Sequence, residues 1–349
     1  MGPAEALDRI AYLLDRMLAP AAKARAFHRA RDIAAALGED QLRELTHTGS
    51  LEDVPGIGKS TGAVIREALE GKRPSYLVRL ETEAALPLSD QARPWREALR
   101  GDCHVHSDWS DGGAPIETMA RTAMELGHDY LVITDHSPRL TVAHGLNRDR
   151  LLDQLVQIER LNDELAPFRI LTGIEVDILD DGQLDLDDDL LARLDIVVAS
   201  VHSKLHMPAA QMTRRLVTAI ASPHTDILGH CTNRKLSSSG EQPRSDAVLR
   251  RQPSQFDAEI VFAACAKFDT AVEINCRPER QDPPDGLVAL AMEWGCKFAI
   301  STDAHAPGQL EWQVYGSEKA SRHAIALDQI INTWDADQLV DWARSHASQ

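Results

Sequence analysis

Apolar residues recur every three or four positions through the first 80 residues: Leu7, Ile10, Ala11, Leu14 and Leu18 share one helical face, and Ile33, Ala34 and Leu37 another. This spacing predicts a small bundle of helices. After residue 100 the pattern changes to short β-branched runs that alternate with helical stretches. Seven runs stand out, at 101–106, 130–136, 170–175, 196–202, 226–230, 271–275 and 298–305. Between the first two, Pro115 opens a helix with Ile116, Met119, Ala120, Ala123 and Met124 on one face, and Gly127 stops it. Alternation of this kind predicts an α/β fold, a parallel sheet closed into a barrel with helices outside, after an all-α domain.

Leu86 to Pro94, between the two patterns, holds two prolines and no sustained period. The expected organisation is a helical domain over 1–85, a linker over 86–100 and a barrel domain over 101–349. Charge follows the same division. The 349 residues hold 37 Lys+Arg and 54 Asp+Glu, a net charge of −17, but the first 95 residues are nearly neutral, with 13 basic and 14 acidic residues. The acidity excludes a protein that coats nucleic acid by bulk charge and leaves open binding through one patch. No run approaches the roughly 18 apolar residues of a membrane helix, and the N-terminus lacks signal-peptide order, so a cytoplasmic protein with no membrane partner is expected. Five cysteines (Cys103, Cys231, Cys265, Cys276, Cys296) without a C-x-x-C pair read as reduced thiols.

In the helical part, Gly56 and Gly58 flank Ile57 just before a helix running through Ile65 and Leu69. Glycines let a backbone approach closely, and free N–H groups at a helix start attract phosphate. Gly56, Gly58, Lys59 and Ser60 are therefore candidate phosphate contacts, with Arg25, Arg29, Arg31, Arg66, Lys72 and Arg73 supplying cations nearby; the turn resembles the helix-hairpin-helix motif of DNA repair proteins, which implies that these residues contact DNA.

In the barrel the active site is expected at the C-terminal ends of the strands. His104 and His106, two apart on a strand, face the same way, and Asp111 lies in the loop after them. The second run ends in a ligand pair, Asp135 and His136; later runs end at Glu175, His202, His230, Asn275, and Asp303 with His305. Nine of these, His104, His106, Asp111, His136, Glu175, His202, His230, Asp303 and His305, are expected to converge on one rim as metal ligands. The other eight histidines, His28, His47, His128, His144, His206, His224, His323 and His346, lack that strand-end context. Mixed imidazole and carboxylate ligands suit Mn²⁺, Zn²⁺ or Fe²⁺ better than Mg²⁺ alone, with Mn²⁺ or Zn²⁺ favoured. Clustered divalent ions bind a phosphate ester and lower the pKa of water from about 15.7 toward about 7, so the expected reaction is phosphoester hydrolysis by metal-bound hydroxide. Lys204, Arg234, Arg277 and Arg280 follow strand ends and are candidate phosphate-binding cations. Arg244, Arg250 and Arg251, in the polar stretch Ser237 to Gln255, are candidates for touching DNA. Cys103 is expected to face away from the metals by strand alternation.

The succession H-x-H, S-D-G, T-D-H, G-I-E, S-V-H, G-H and T-D-A-H resembles the PHP (polymerase and histidinol phosphatase) superfamily from residue 101 to about residue 335. The resemblance implies a distorted seven-stranded (β/α)7 barrel with up to three divalent ions. It implies one ion on His104, His106, Glu175 and Asp303, a second on Glu175, His202 and His230, and a third on Asp111, His136 and His305, with Glu175 bridging. Glu175, Asp303 and His305 would then be catalytic through the bound metals. The phrases GIEVDILDDG, ASVHS, DILGH, EIN and STDAH are more similar still to the PHP module of bacterial family X DNA polymerases. Residues 1–85 resemble the helical DNA-end-binding domain of those enzymes, with its helix-hairpin-helix motif. Only the linker stands where they carry palm and fingers, so no polymerase activity is expected, and Val64 falls where a lyase lysine would be. The resemblance implies a metal-dependent phosphoesterase acting in repair on nicked, gapped or recessed DNA ends, as a 3′-5′ exonuclease or a 3′-end-processing nuclease or phosphatase. A small-molecule phosphatase of the histidinol-phosphate type and a non-catalytic DNA-end-binding factor are the alternatives.

Overall fold

The computed structural model describes residues 1–237 and 249–346. Contacts divide the chain into two compact units, Met1–Leu86 and Pro87–Gln349. The first is helical: α1 (Pro3–Arg16), α2 (Ala21–Thr48), α3 (Lys59–Leu69) and α4 (Ser75–Glu83). Leu7, Ile10 and Leu14 of α1 pack with Phe27, Ala30 and Ala34 of α2 and with Val64 and Ile65 of α3. Leu18 does not extend the α1 face; the helix ends two residues earlier, and Leu18 adopts a φ of 52°. Within α2 the helical dihedrals break at Gly38.

The second unit holds nine described strands: β1 (Gly101–Val105), β2 (Tyr130–Ile133), β3 (Arg169–Asp177), β4 (Ile196–Ser200), β5 (Ile227–Leu228), β6 (Lys235–Leu236), β7 (Leu249–Arg251), β8 (Ala271–Asn275) and β9 (Phe298–Ser301). Seven form one parallel sheet in the order β1-β2-β3-β4-β5-β8-β9. At the C-terminal end the sheet curls back on itself: Asp303 N–H donates to the His104 carbonyl at 3.0 Å and His106 N–H to the Ala304 carbonyl at 2.8 Å. The result is a nearly closed (β/α)7 barrel. Around it stand α5 (Arg93–Ala98), α6 (Ile116–Glu125), α7 (Arg148–Leu165), α8 (Asp188–Leu191), α9 (Ala209–Ile220), α10 (Ala258–Phe268), α11 (Asp285–Glu293), α12 (Gln313–His323) and α13 (Ala336–His346).

Side chains alternate across the strands. Leu131, Ile133 and Ile170 pack outward on Ile116, Met119 and Ala123 of α6 and on Ile158 and Leu161 of α7. Tyr130, Val132, Leu171, Ile196, Val198, Ile227, Ala271 and Ala299 fill the opposite face together with Leu339, Val340 and Trp342 of α13. That second cluster is the floor of the barrel, at the N-terminal ends of the strands.

Two local expectations change. Residues 93–98, inside the segment read as linker, are helix α5, started by Pro94 in its first turn, and Trp95 Nε1 donates to the Ile325 carbonyl at 2.8 Å, which fastens it to the second unit. The polar stretch Ser237 to Gln255 is not all loop, because Leu249–Arg251 forms β7, paired antiparallel with β6. Arg244 lies outside the described residues. Finally, no described helix is long and apolar enough to cross a membrane.

Candidate metal centre

All nine residues expected at strand ends meet at the mouth of the barrel, and one carboxylate is their hub. Glu175, near the end of β3, is 1% exposed. Its Oε1 lies 2.8 Å from His230 Nε2 and 3.2 Å from His202 Nε2; its Oε2 lies 2.9 Å from His136 Nδ1, 3.3 Å from His104 Nε2 and 3.5 Å from His106 Nε2. Beside this group, His106 Nε2 is 3.5 Å from Asp303 Oδ1, while Asp111 Oδ1 is 3.5 Å from His136 Nε2 and 3.4 Å from His305 Nε2.

Three sets come close enough to hold an ion: His106, Asp111, His136 and His305; His104, His106 and Glu175; and His136, Glu175 and His202. Three residues therefore stand between sets, Glu175 and two histidines. His106 faces Asp111 and His305 as well as Glu175, and His136 faces Glu175 as well as Asp111.

The donor set fits divalent ions. His104 Nε2, both ring nitrogens of His106 and of His202, and Glu175 Oε2 are buried and make no hydrogen bond. Groups of this kind cost about 1–3 kcal/mol each when left unsatisfied, so their concentration in one place calls for a shared partner of opposite polarity. Imidazole and carboxylate together are ligands of borderline divalent ions.

Electrostatics prepare the site. Burial by itself would raise the Glu175 carboxyl, but the facing His104, His202 and His136 rings reverse the sign and hold it well below the usual carboxylate range. Burial likewise would raise Asp303, and His106, Arg280 and Arg277 hold it low. His106, buried and crowded by His305 and His136, is pushed well below its ordinary value and so stays a neutral imidazole with a free lone pair. For His202, burial lowers the pKa, yet Glu175 and Asp177 carry it up to about 9.

Supporting residues had no role assigned from the sequence. Glu273 is fully buried and accepts from His104 Nδ1 at 2.6 Å and from the His230 backbone N–H at 2.6 Å. It thereby fixes the ring of His104 with Nε2 toward Glu175, the arrangement by which carboxylates orient metal-binding histidines. Its signal was legible: Glu273 sits two residues before Asn275 and thus on the same inward face. Asn275 Nδ2 reaches both Glu273 and Asp303 at 3.2 Å. Asp177 accepts from the His202 backbone N–H at 3.0 Å. Asp102, whose pKa burial pushes up to about 7, accepts from Thr302 Oγ1 at 2.5 Å and ties β1 to the end of β9.

Asp135 is a correction. It does not pair with His136 as a ligand but turns into the protein, accepting from Ser107 N–H (2.8 Å), Ser107 Oγ (2.6 Å), Ser110 Oγ (2.5 Å) and Gln154 Nε2 (2.6 Å). Its work is to hold the loop that carries Asp111.

The four candidate phosphate cations separate. Arg277 and Arg280 reach the centre: Arg277 Nη1 donates to the Asp303 carbonyl at 2.9 Å, and Arg280 Nε is 3.2 Å from Asp303 Oδ2. His305 Nδ1 also lies 2.9 Å from that carbonyl. Arg277 Nη1 lies 3.0 Å from the same ring nitrogen, and His305 Nε2 faces Asp111. Arg234 is not brought in, because its guanidinium donates to the Arg280 and Gln281 carbonyls, and it supports the loop that presents Arg280. Lys204 is exposed and paired with Asp180, beside His202 but turned to the rim. Cys103 lies outside the histidine cluster, in the apolar floor beside Tyr130, with Asn332 Nδ2 3.3 Å from its sulfur.

In the helical unit, Gly56 adopts a φ of 105°, a left-handed conformation that favours glycine. Gly58 leads into α3 in extended conformation, and Gly56, Gly58, Lys59 and Ser60 are all exposed. The eight remaining histidines join none of the three ion-holding sets among the described residues.

Residues 102–261 match the family model of the PHP domain. The chain belongs to the PHP-domain family of metal-dependent phosphoesterases. It is 42% identical over 234 residues to "DNA polymerase/3'-5' exonuclease PolX" of Bacillus subtilis, a match covering 67% of this chain but 39% of that protein, so it spans well under half of that relative's length. It is 30% identical over 245 residues to "Probable phosphatase Teth514_1060" of Thermoanaerobacter sp., which covers 66% of this chain and 89% of that protein. Among solved structures, histidinol phosphate phosphatase of Lactococcus lactis, solved with zinc, L-histidinol and phosphate, matches at 15% identity with a TM-score of 0.39 over 72% of this chain and 93% of that one.

Proposed function

We propose that this protein processes DNA ends in repair, the barrel hydrolysing a phosphoester at a 3′ terminus as a 3′-5′ exonuclease or an end-cleaning nuclease or phosphatase. In this reading residues 1–85 grip the nicked, gapped or recessed end through the backbone amides of the Gly56 to Ser60 turn. The observation that carries the proposal is the full set of nine metal-ligand side chains around one buried carboxylate. The similarity to a protein named as a 3′-5′ exonuclease supports DNA as the substrate. No nucleotide-addition step is part of the reading.

His104, His106, Glu175 and Asp303 would hold one ion, Glu175, His202 and His230 a second, and Asp111, His136 and His305 a third, Mn²⁺ or Zn²⁺ in preference to Fe²⁺. Such ions supply Lewis acidity toward a phosphate oxygen and make water a nucleophile near neutral pH. The chain's own groups do the remainder. Glu273 keeps His104 in one tautomer, and Arg277 and Arg280 offer N–H donors to the non-bridging oxygens of a phosphate beside Asp303.

The test is a gel assay of labelled gapped duplexes ending in 3′-hydroxyl or 3′-phosphate, with Mn²⁺, with chelator, and with an Asp303→Ala, His305→Ala double variant. Cutting is expected only with metal and is expected to vanish in the variant. Intact ends in every lane, with metal bound, would sink the DNA reading. Hydrolysis of histidinol phosphate by the same sample would then establish a small-molecule phosphatase, and binding of ends without turnover a recruitment factor.

A further inference from the structure

Cations continue outward from the mouth on one side. Lys235 of β6 stands directly opposite Arg251 of β7 in the antiparallel register. β6 is in turn tied to the loop after β8, because Leu236 N–H donates to the Glu279 carbonyl at 2.7 Å. That loop carries Arg277 and Arg280. One residue then joins the two groups: Arg251 Nε donates to the Asn233 backbone carbonyl at 2.7 Å, and Arg280 Nη1 donates to the Asn233 side-chain oxygen at 3.1 Å.

The nearby carboxylates are already engaged, Glu279 with Arg277 at 2.8 Å, Asp303 with Arg280 at 3.2 Å, and Asp282, which faces Arg251, with Thr232 Oγ1 at 2.6 Å. Among the described residues neither Lys235 nor Arg251 has an ion-pair partner. Like charges directly opposite on paired strands repel, and here a third cation, Arg280, presses on both. Lys235 is half-buried, which adds to the cost of keeping it charged without a counterion. The strip therefore runs from Asp303 through Arg280 to a pair of cations that has no ion-pair partner among the described residues, and an anion is the chemistry that would relieve it.

We infer that Lys235 and Arg251 form a second anion subsite, which takes the phosphate next to the reacting one along a nucleic-acid strand. The inference rests on the DNA-end reading and sharpens its substrate class: a compact phosphate monoester, or a single diester, has no second phosphate to place there. Contacts of this kind position a strand without reading its sequence. They also differ from those of Arg277 and Arg280, which stand at the reacting centre.

The full-length protein, Lys235→Ala and Lys235→Arg are compared in two measurements. The first is binding of fluorescein-labelled tetrathymidylate by anisotropy across a salt series. The second is hydrolysis of thymidine 5′-(4-nitrophenyl phosphate), which has one diester and no neighbouring phosphate. Lys235→Ala is expected to weaken tetrathymidylate binding about fivefold and to lower the salt slope by about one, as for loss of a single phosphate contact. It is expected to leave the single diester unchanged, and Lys235→Arg is expected to bind as the wild type does. Wild-type binding by Lys235→Ala, or a parallel fall on the single diester, overturns the subsite. Lys235-dependent binding without hydrolysis of either substrate by metal-loaded wild type would instead uphold the subsite and overturn the phosphoesterase reading.

Discussion

The floor and the mouth of the barrel are built from the same strands and obey opposite rules. Along β8, Ala271 belongs to the apolar floor, and Glu273, two residues further on the same face, is a buried carboxylate bonded to His104. Along β3, Leu171 packs with Val132 and Ile196, while Glu175 faces five imidazoles. The floor gains stability by excluding water from carbon. The mouth excludes water too, but it encloses polar atoms that make no hydrogen bond, an arrangement that serves ligation and not packing. Two histidines state the difference. Burial lowers the pKa of both, yet His202 rises to about 9 because Glu175 and Asp177 face it, whereas His128, behind α6 and near Arg96, falls to about 4. Enclosure has one sign, and the neighbours decide the outcome.

The floor should fail by unfolding and the mouth by losing function, so each can be broken separately. Leu339→Ala empties a fully buried position of α13 against the floor strands and is expected to cost about 3 kcal/mol in urea unfolding, with activity per folded molecule retained. A loss of metal affinity in this variant would blur the division. Glu273→Gln tests the seam between the two regions. It keeps the shape beneath His104 and removes the charge, and metal titration is expected to show affinity 10–100-fold lower, with a small change in melting temperature. The smallest effect concerns His128. Its folded pKa of about 4 lies below the unfolded value, so the native state refuses a proton that the unfolded chain accepts. Its contribution is complete above about pH 6.5 and is lost as pH falls toward 4, by about 1 kcal/mol per pH unit. His128→Gln is expected to flatten that part of the stability profile between pH 6.5 and 5.5; an unchanged slope would show that the native state takes up the His128 proton as readily as the unfolded chain does.

Much of this was legible locally. Short strand-like runs marked each strand of the barrel, even β5, which keeps only Ile227 and Leu228 in the sheet. Two-residue spacing put His104 and His106 on one side, and the strand ends named the residues that meet at the mouth. Other features were illegible for identifiable reasons. Two prolines made 86–100 look like linker, although Pro94 starts a helix as readily as it breaks one. Asp135 looked like the partner of His136, but consecutive residues point to opposite sides, and only one of them can face the mouth. Arg234 and Arg280 looked equivalent as loop cations. Their difference lies in which backbone carbonyls come within reach, and neighbouring letters do not record that.

The sequence by itself determined the alternation of strand and helix, the glycine turn before α3, and the chemical types available at each strand end. Those properties follow from periodicity and from side chains a few residues apart. Tertiary structure alone decided that Glu273 would lie beneath His104 across 169 positions of chain, and that Lys235 would face Arg251 with no ion-pair partner among the described residues. Such contacts depend on strand register and barrel closure, and both are set by the packing of the whole sheet against its helices.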